Sequence, residues 1–206
     1  MPAPHESHRE RILGLLAVRG MARLAELKEA GVTASSVSRL EREGSIVRLA
    51  RGLYQLADAN IDSHHALAEA AKLVPRGVIC LASALAFHEL TDRQPRRVWI
   101  ALGPKEWRPQ ISRPVLRYVH YARDKLWQNV ENHQIEGVDV PITDPVRTVV
   151  DLFKYRRTAG EDLALEGLRE ALRTGKATPA ALARAAQEAR QWRIIRPYLE
   201  ALTSHA

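Results

Sequence analysis

Within its first 57 residues the chain lays down three short amphipathic stretches, each closed by a glycine, and then two apolar strands around a tight turn. Ser7 is placed to cap a first helix running to about Val18, with Glu10 three residues on to complete a capping box, and Gly20 ends it. Ile12, Leu13, Leu15 and Leu16 give this helix a broad apolar face. A second helix is predicted over about Ala22–Ala30, burying Leu24 and Leu27 and stopped by Gly31. Thr33 opens a third, Ala34–Glu43, and Gly44 terminates it. Ile46–Leu49 and Leu53–Leu56 read as strands flanking Ala50-Arg51-Gly52. Three short helices with glycine turns form the skeleton of a helix-turn-helix, and a hairpin directly after the third helix is the wing of a winged helix.

On the third helix, at 100° per residue, Val37 and Leu40 define the inward side, while Ser35, Ser38, Arg39 and Arg42 cluster opposite. Short hydroxyls allow close approach to a groove, and guanidinium forks can bind guanine edges or phosphates bidentately. Arg51 falls at the tip of the ribbon and Arg48 on its first strand, where both can meet phosphate or the minor groove. The expected DNA-binding set is Thr33, Ser35, Ser36, Ser38, Arg39, Arg42, Arg48 and Arg51. A plain solvated helix face, or a winged helix used only for protein contacts, would show part of the same pattern.

Charge distribution sharpens this reading. The net charge of the 206-residue chain is +7; residues 1–57 carry nine basic and six acidic groups, 93–125 nine and two, and 126–206 eleven of each. A basic balance favours a polyanionic partner. The single cysteine, Cys80, excludes an intrachain disulfide and suits a reducing compartment. The longest apolar run, Val78–Phe87, is ten residues, well short of the ~20 that span a bilayer. The stretch Ile12–Val18 lacks the cleavage site of an export signal. The expected location is the cytoplasm, with no membrane partner.

The expected fold class is α+β: a winged helix-turn-helix over 1–58, then a mixed α+β domain over 59–206 that ends in helices. After a linker at Asp58–Asp62, Asp62 or Ser63 caps a helix to about Val74, Val78–Leu81 is short and apolar, and Ser83–Leu90 reads as a helix. Arg97–Leu102 and Val115–Tyr121 are strand candidates, and Gln134–Val140 is a small hairpin around Glu136-Gly137. Asp144-Pro145 and Thr178-Pro179 are caps followed by a first-turn proline, so helices follow each, the second running to Trp192. Further helices are expected over Glu161–Arg173 and Ile195–Leu202. Strands followed by helices argue against a wound parallel sheet.

The segment 93–125 interleaves cations with Trp99, Trp107, Tyr118 and Tyr121. A second basic surface made of Arg96, Arg97, Lys105, Arg108, Arg113 and Arg117 would hold nucleic acid or an acidic partner. The favoured alternative is an ordinary sheet, aromatics packed on one face and cations in water on the other.

Nothing in the chain reads as an enzyme. It has no phosphate-cradling glycine loop and no nucleophile elbow. Adjacent His64 and His65 do not chelate from one helix face, and Cys80 with His88 reads as a buried structural cysteine beside a helical histidine. Asp139, Asp144 and Asp151 are spread over a hairpin, a cap and a helix, and Glu26-Leu27-Lys28 lies within the helix-turn-helix. No metal, cofactor or catalytic residue is expected.

Three stretches of the N-terminal segment resemble the N-terminal domain of AbiEi-type antitoxins: Gly20-Met21-Ala22-Arg23-Leu24-Ala25-Glu26-Leu27, Leu40-Glu41-Arg42-Glu43-Gly44 and Arg51-Gly52-Leu53-Tyr54. Thr143-Asp144-Pro145-Val146-Arg147-Thr148-Val149-Val150-Asp151-Leu152-Phe153 and Pro197-Tyr198-Leu199-Glu200 are similar to later parts of AbiEi-like regulators. The resemblance implies an autorepressing transcriptional regulator of a type IV toxin–antitoxin pair, bound to inverted-repeat promoter DNA. It also implies a nucleotidyltransferase-like toxin as partner and an antitoxic second domain, for which no individual residues match. Two other readings remain open: a protein-interaction module with minor DNA binding, and a stand-alone regulator whose second domain senses a ligand.

Overall fold

A computed structural model describes residues 7–109 and 111–204. The chain forms two compact units: Met1–Pro75 with Pro109–Pro114 and His133–Val140, and Arg76–Arg108 with Val115–Asn132 and Pro141–Ala206. The first unit therefore holds, besides the 1–58 segment, one further helix and the tip of a later hairpin.

In the first unit, α1 (His8–Arg19) starts on the expected capping box. Ser7 Oγ accepts the Glu10 amide at 3.2 Å, and the Glu10 carboxylate accepts the Ser7 amide at 2.9 Å. These bonds hold the Glu10 carboxyl below the usual carboxylate range. The next segment departs from expectation. The second helix does not begin at Ala22: Met21–Arg23 is a strand, β1, and α2 is only Leu24–Glu29. Met21 and Ala22 pair antiparallel with Gln55 and Tyr54 and are buried there, so the sheet satisfies their backbone while covering their side chains. Arg23 is the last paired residue, and the Glu26 carboxylate takes its amide at 2.5 Å as the chain enters α2. Burial pushes that carboxyl up, but the bonds from the Arg23 amide and Lys72 outweigh it and leave it below its ordinary range.

α3 (Ala34–Arg42) is capped by Thr33, whose hydroxyl accepts the Ser36 amide at 3.3 Å. The turn before α3 and the turn after it close alike. Val32 donates to Leu27 O and Gly31 to Lys28 O at 3.1 and 2.9 Å, and Ser45 donates to Leu40 O and Gly44 to Glu41 O at 3.0 and 3.1 Å. This is the Schellman closure, and it puts Gly31 and Gly44 at φ of +80° and +73°, where a side chain is strained. β2 (Ile46–Ala50) and β3 (Leu53–Leu56) form the ribbon, giving the sheet order β1-β3-β2, with a register shift between Arg48 and Ala50. Ile12, Leu16, Leu27, Val37, Leu40, Ile46 and Tyr54 make one core.

α4 (His65–Leu73) also belongs to this unit. Neither Asp62 nor Ser63 is its cap. Asp62 Oδ1 instead accepts the His64 amide at 2.7 Å in a local turn, and the helix begins at His65. Lys72 Nζ reaches Glu26 at 2.9 Å, and Arg23 donates to Leu73 O at 3.2 Å, which fasten α4 beside β1 and α2. The Glu136-Gly137 turn packs against the same unit. Its Glu136 carboxylate accepts from Gln55 Nε2 at 3.0 Å and the Asp62 amide at 2.6 Å, and it pairs with His65 Nδ1 at 2.9 Å.

The second unit contains β4 (Val78–Ile79), α5 (Leu81–Phe87), β5 (Val98–Leu102), β6 (Leu116–His120) and α6 (Arg123–Leu126). The hairpin β7 (Val130–Ile135) and β8 (Val138–Thr143) follows, and its tip counts with the first unit. The remainder is helical: α7 (Pro145–Lys154), α8 (Arg156–Ala159), α9 (Glu161–Arg173), α10 (Pro179–Glu188) and α11 (Trp192–Thr203). The sheet order is β6-β5-β4-β8-β7, with β5 parallel to β6, β4 parallel to β8 and β4 antiparallel to β5. The fold class is α+β with a mixed sheet.

Several helix boundaries differ from those expected, among them the end of α5 at Phe87 rather than Leu90 and the start of α11 at Trp192 rather than Ile195. α5 starts at Leu81, not Ser83, because Ser83 is a sheet tie: its buried hydroxyl accepts the Trp99 amide at 2.9 Å and donates to Arg97 O at 3.4 Å. The helix opened by Thr178-Pro179 stops at Glu188. There Arg190 turns to φ +57° and Gln191 donates to Ala186 O at 2.7 Å, so Trp192 starts a separate helix.

The Thr143–Phe153 stretch is a buried fastening. Asp144 Oδ1 caps α7 through the Arg147 amide at 2.7 Å, and the Thr143 and Thr148 hydroxyls meet at 2.7 Å. Arg147 Nε pairs with Asp151 at 3.1 Å, while its Nη1 donates to Leu126 O at 2.9 Å and to Gln128 O. Burial pushes the Asp151 carboxyl up, against the opposing pull of Arg147.

Candidate nucleic-acid interface

The inward side of α3 is fixed by Val37 and Leu40, both fully buried. That fixes the outward side. Thr33, Ser35, Ser38, Arg39 and Arg42 are exposed in the first unit. Ser36 differs from its neighbours, being half-buried with its hydroxyl 3.0 Å from His8 Nδ1 and 2.9 Å from Thr33 Oγ1. It pins the start of α3 to the start of α1.

The guanidinium groups are lightly held. Arg39 Nε lies 3.7 Å from Glu43, and Arg42 Nε donates to Ser38 O at 3.3 Å. The Arg39 contact is a one-turn surface pair, worth ~0.3–0.5 kcal/mol, so a phosphate or a guanine edge displaces it at small cost. Glu43 is chiefly occupied elsewhere, receiving Arg9 at 2.6 Å, and Arg9 also donates to Ser45 Oγ at 3.2 Å. This anchor of α1 to the end of α3 escapes sequence reading, since a lone Glu in a helix C-terminal turn carries no signal of its partner.

On the ribbon, Arg48 is exposed opposite Tyr54, and its Nε donates to Ala50 O at 3.3 Å across the register shift. Arg51 is exposed in the Arg51-Gly52 turn, and its side chain makes no hydrogen bond or ion pair among the described residues. Helix, ribbon and cations thus sit in one compact unit with a shared core.

The residues of the 93–125 segment separate. Arg113 belongs to the first unit, while Arg96, Arg97, Lys105, Arg108 and Arg117 belong to the second. Trp99 and Tyr121 are buried, Tyr118 is half-buried, and Trp107 is exposed. Arg108 donates to His120 Nε2 at 2.9 Å. Arg96, Arg97 and Arg117 line one hollow together with Arg93, a residue outside the expected basic surface. Lys105 is exposed elsewhere.

Among the described residues no three His, Cys, Asp or Glu side chains gather as metal ligands would. Cys80 is buried and its thiol is pushed up by burial; His88 is buried with Nε2 2.7 Å from Thr143 O. Asp144 and Asp151 serve α7, Asp139 is engaged by Gln134, and Glu26 by Lys72. Among the described residues no helix is long and apolar enough to cross a membrane.

Residues 10–57 match the family described as "Transcriptional regulator, AbiEi antitoxin". That span is α1 through the ribbon, so the N-terminal segment is a winged helix-turn-helix similar to that of AbiEi regulators. No curated protein matches the chain. Among solved structures, the crystal structure of the RV2827C protein from Mycobacterium tuberculosis is similar, with a TM-score of 0.65 and 18% identity over 95% of this chain and 77% of that one. At that identity the likeness is one of fold.

Proposed function

We propose that this protein is a sequence-specific DNA-binding transcriptional regulator that represses its own operon in the cytoplasm and serves as the antitoxin of a type IV toxin–antitoxin system. The outward side of α3 enters the major groove, with Ser35 and Ser38 allowing close approach and Arg39 and Arg42 reading base edges. Thr33 and Ser36 hold the start of the helix in register against the backbone. Arg48 and Arg51 grip phosphate or the minor groove beside it. Inverted-repeat promoter sequence is the expected target, and a nucleotidyltransferase-like toxin the expected protein partner. No catalytic step is assigned.

The single observation that carries the reading is the solvent-facing Ser/Arg side of α3, opposite buried Val37 and Leu40, on a unit that also bears a ribbon with a free arginine at its turn. The test is binding of the full chain to a duplex of its own promoter against an unrelated duplex over a salt series. About six phosphate contacts give a log–log slope of roughly −5. The promoter should be preferred, and the Arg39→Ala/Arg42→Ala double variant should erase that preference. Equal binding to both duplexes, or an unchanged double variant, overturns the assignment of α3 as the reading element.

A further inference from the structure

The second unit contains a hollow of about 330 Å³ lined by Arg93, Arg96, Arg97 and Arg117, with Trp99 and Leu163 in its wall and no carboxylate in its lining. Four arginines thus line one concavity, and like charges gathered there repel one another unless each is compensated.

The four are not equally free. Arg93 is braced: Nη1 meets Asp162 at 2.5 Å, Nε meets Glu166 at 3.0 Å, and Thr91 donates to the same Glu166 carboxylate. These carboxylates neutralise Arg93 and set the direction of its fork. Arg117 sits at the same register as Trp99 on the parallel strands, and its guanidinium lies 4.3 Å from the indole ring centroid. That stacking fixes the guanidinium plane and occupies an indole face, so Trp99, itself buried, does not offer that face to a base. Arg96 and Arg97 are exposed, and their side chains make no hydrogen bond or ion pair among the described residues. Three cations are therefore left uncompensated around one hollow.

An entering anion with several acceptor oxygens relieves that repulsion, and guanidinium forks match the oxygens of a phosphate group bidentately. The hollow has the size of a small-ligand pocket, at the low end of the ~300–1,000 Å³ range. We propose that it binds a small phosphate-bearing molecule, with the phosphate held between Arg96, Arg97 and Arg117 and Arg93 bracing the rim. The proposal stands apart from DNA binding by the first unit and survives the failure of that reading.

Calorimetric titration of the full chain with inorganic pyrophosphate, a nucleoside 5′-monophosphate and the matching unphosphorylated nucleoside tests it. Both phosphate probes should bind and the nucleoside should not. Equal affinity for the two phosphate probes shows recognition of the phosphate alone, and tighter binding of the nucleotide adds its ester to the ligand. Arg96→Gln/Arg97→Gln should weaken binding at least tenfold at an unchanged melting temperature, because both side chains stand in solvent. The proposal falls if neither phosphate probe binds at millimolar concentration, or if the double variant binds as well as the parent. It also falls if duplex DNA alone binds in a manner that depends on Arg96 and Arg97.

Discussion

On α3 and its ribbon, Arg39, Arg42, Arg48 and Arg51 stand in solvent with at most one light contact each, whereas Arg147 in the second unit is buried and commits Nε to Asp151 and Nη1 to two backbone carbonyls. Its Nη2 has no hydrogen-bond partner among the described residues, and the guanidinium lies 5.0 Å from the Tyr121 ring centroid instead. The same side chain thus does opposite work in the two units. In the first it is held loosely, so that exchanging a weak internal contact for an external anion costs little. In the second it is desolvated and spent on fastening the start of α7 to the loop before β7, so that removing it strands a buried carboxylate. An arginine count therefore says little about ligands; what matters is what each guanidinium would have to give up.

The largest expected effect tests the buried side of this contrast. Arg147→Ala should lower stability by ~3–5 kcal/mol, because Asp151 is left unpaired and two carbonyls lose their donor. Urea unfolding measures it, and a loss below about 1 kcal/mol would erase the distinction between the two settings. Next comes the backbone of the first unit. A Cβ on Gly20 would sit 1.5 Å from Glu136 O, and Gly20 already has φ +63°. Gly20→Ala should therefore cost about 2–3 kcal/mol, read in the same unfolding experiment, and an unchanged midpoint would show that this approach is not maintained.

The exposed side should behave in reverse, with binding lost and stability kept. Arg39→Ala should cost ~1–3 kcal/mol on the promoter and flatten sequence preference, while Arg51→Ala should weaken all duplexes alike. A melting temperature that falls with either substitution would mean the side chain is tied into the fold.

The smallest effect concerns Glu69 of α4, whose carboxyl is pushed up by burial against the opposing pull of His65. A carboxyl raised on folding binds its proton more tightly in the native state. Its contribution is fully present below its unfolded pKa and is lost as pH rises through the folded one. At neutral pH the ionised group therefore lowers stability. Glu69→Gln should raise the melting temperature at pH 7 and leave it nearly unchanged near pH 3, as scanning calorimetry at the two pH values would show. A destabilised variant at pH 7 would mean that the carboxylate has a favourable role.

Much of the first unit was legible because its signals are local. Ser7 with Glu10, Thr33, Gly31 and Gly44 act within four or five residues, and each sits where its hydrogen bonds close. The misread start of the second helix has a non-local cause. Met21–Arg23 has a helix-compatible composition, but β3 offers an open edge over thirty residues away, and pairing there buries Met21 and Ala22. The start of α5, expected at Ser83, shifts for a like reason: the Ser83 hydroxyl bonds the backbone of Trp99 and Arg97, which lie more than ten residues on. The candidate DNA-binding face could be read from helical spacing alone, since it is the complement of Val37 and Leu40.

The amino-acid sequence by itself determined the helix caps, the glycine-closed turns, the ribbon and the outward side of α3, because periodicity and capping act over a few residues. Tertiary structure alone decided the parallel pairing of β5 with β6, the packing of the Glu136 turn against the first unit, and which arginines are spent and which are free. Those outcomes depend on groups far apart in the chain, and burial and charge compensation are settled only when folding brings such groups together.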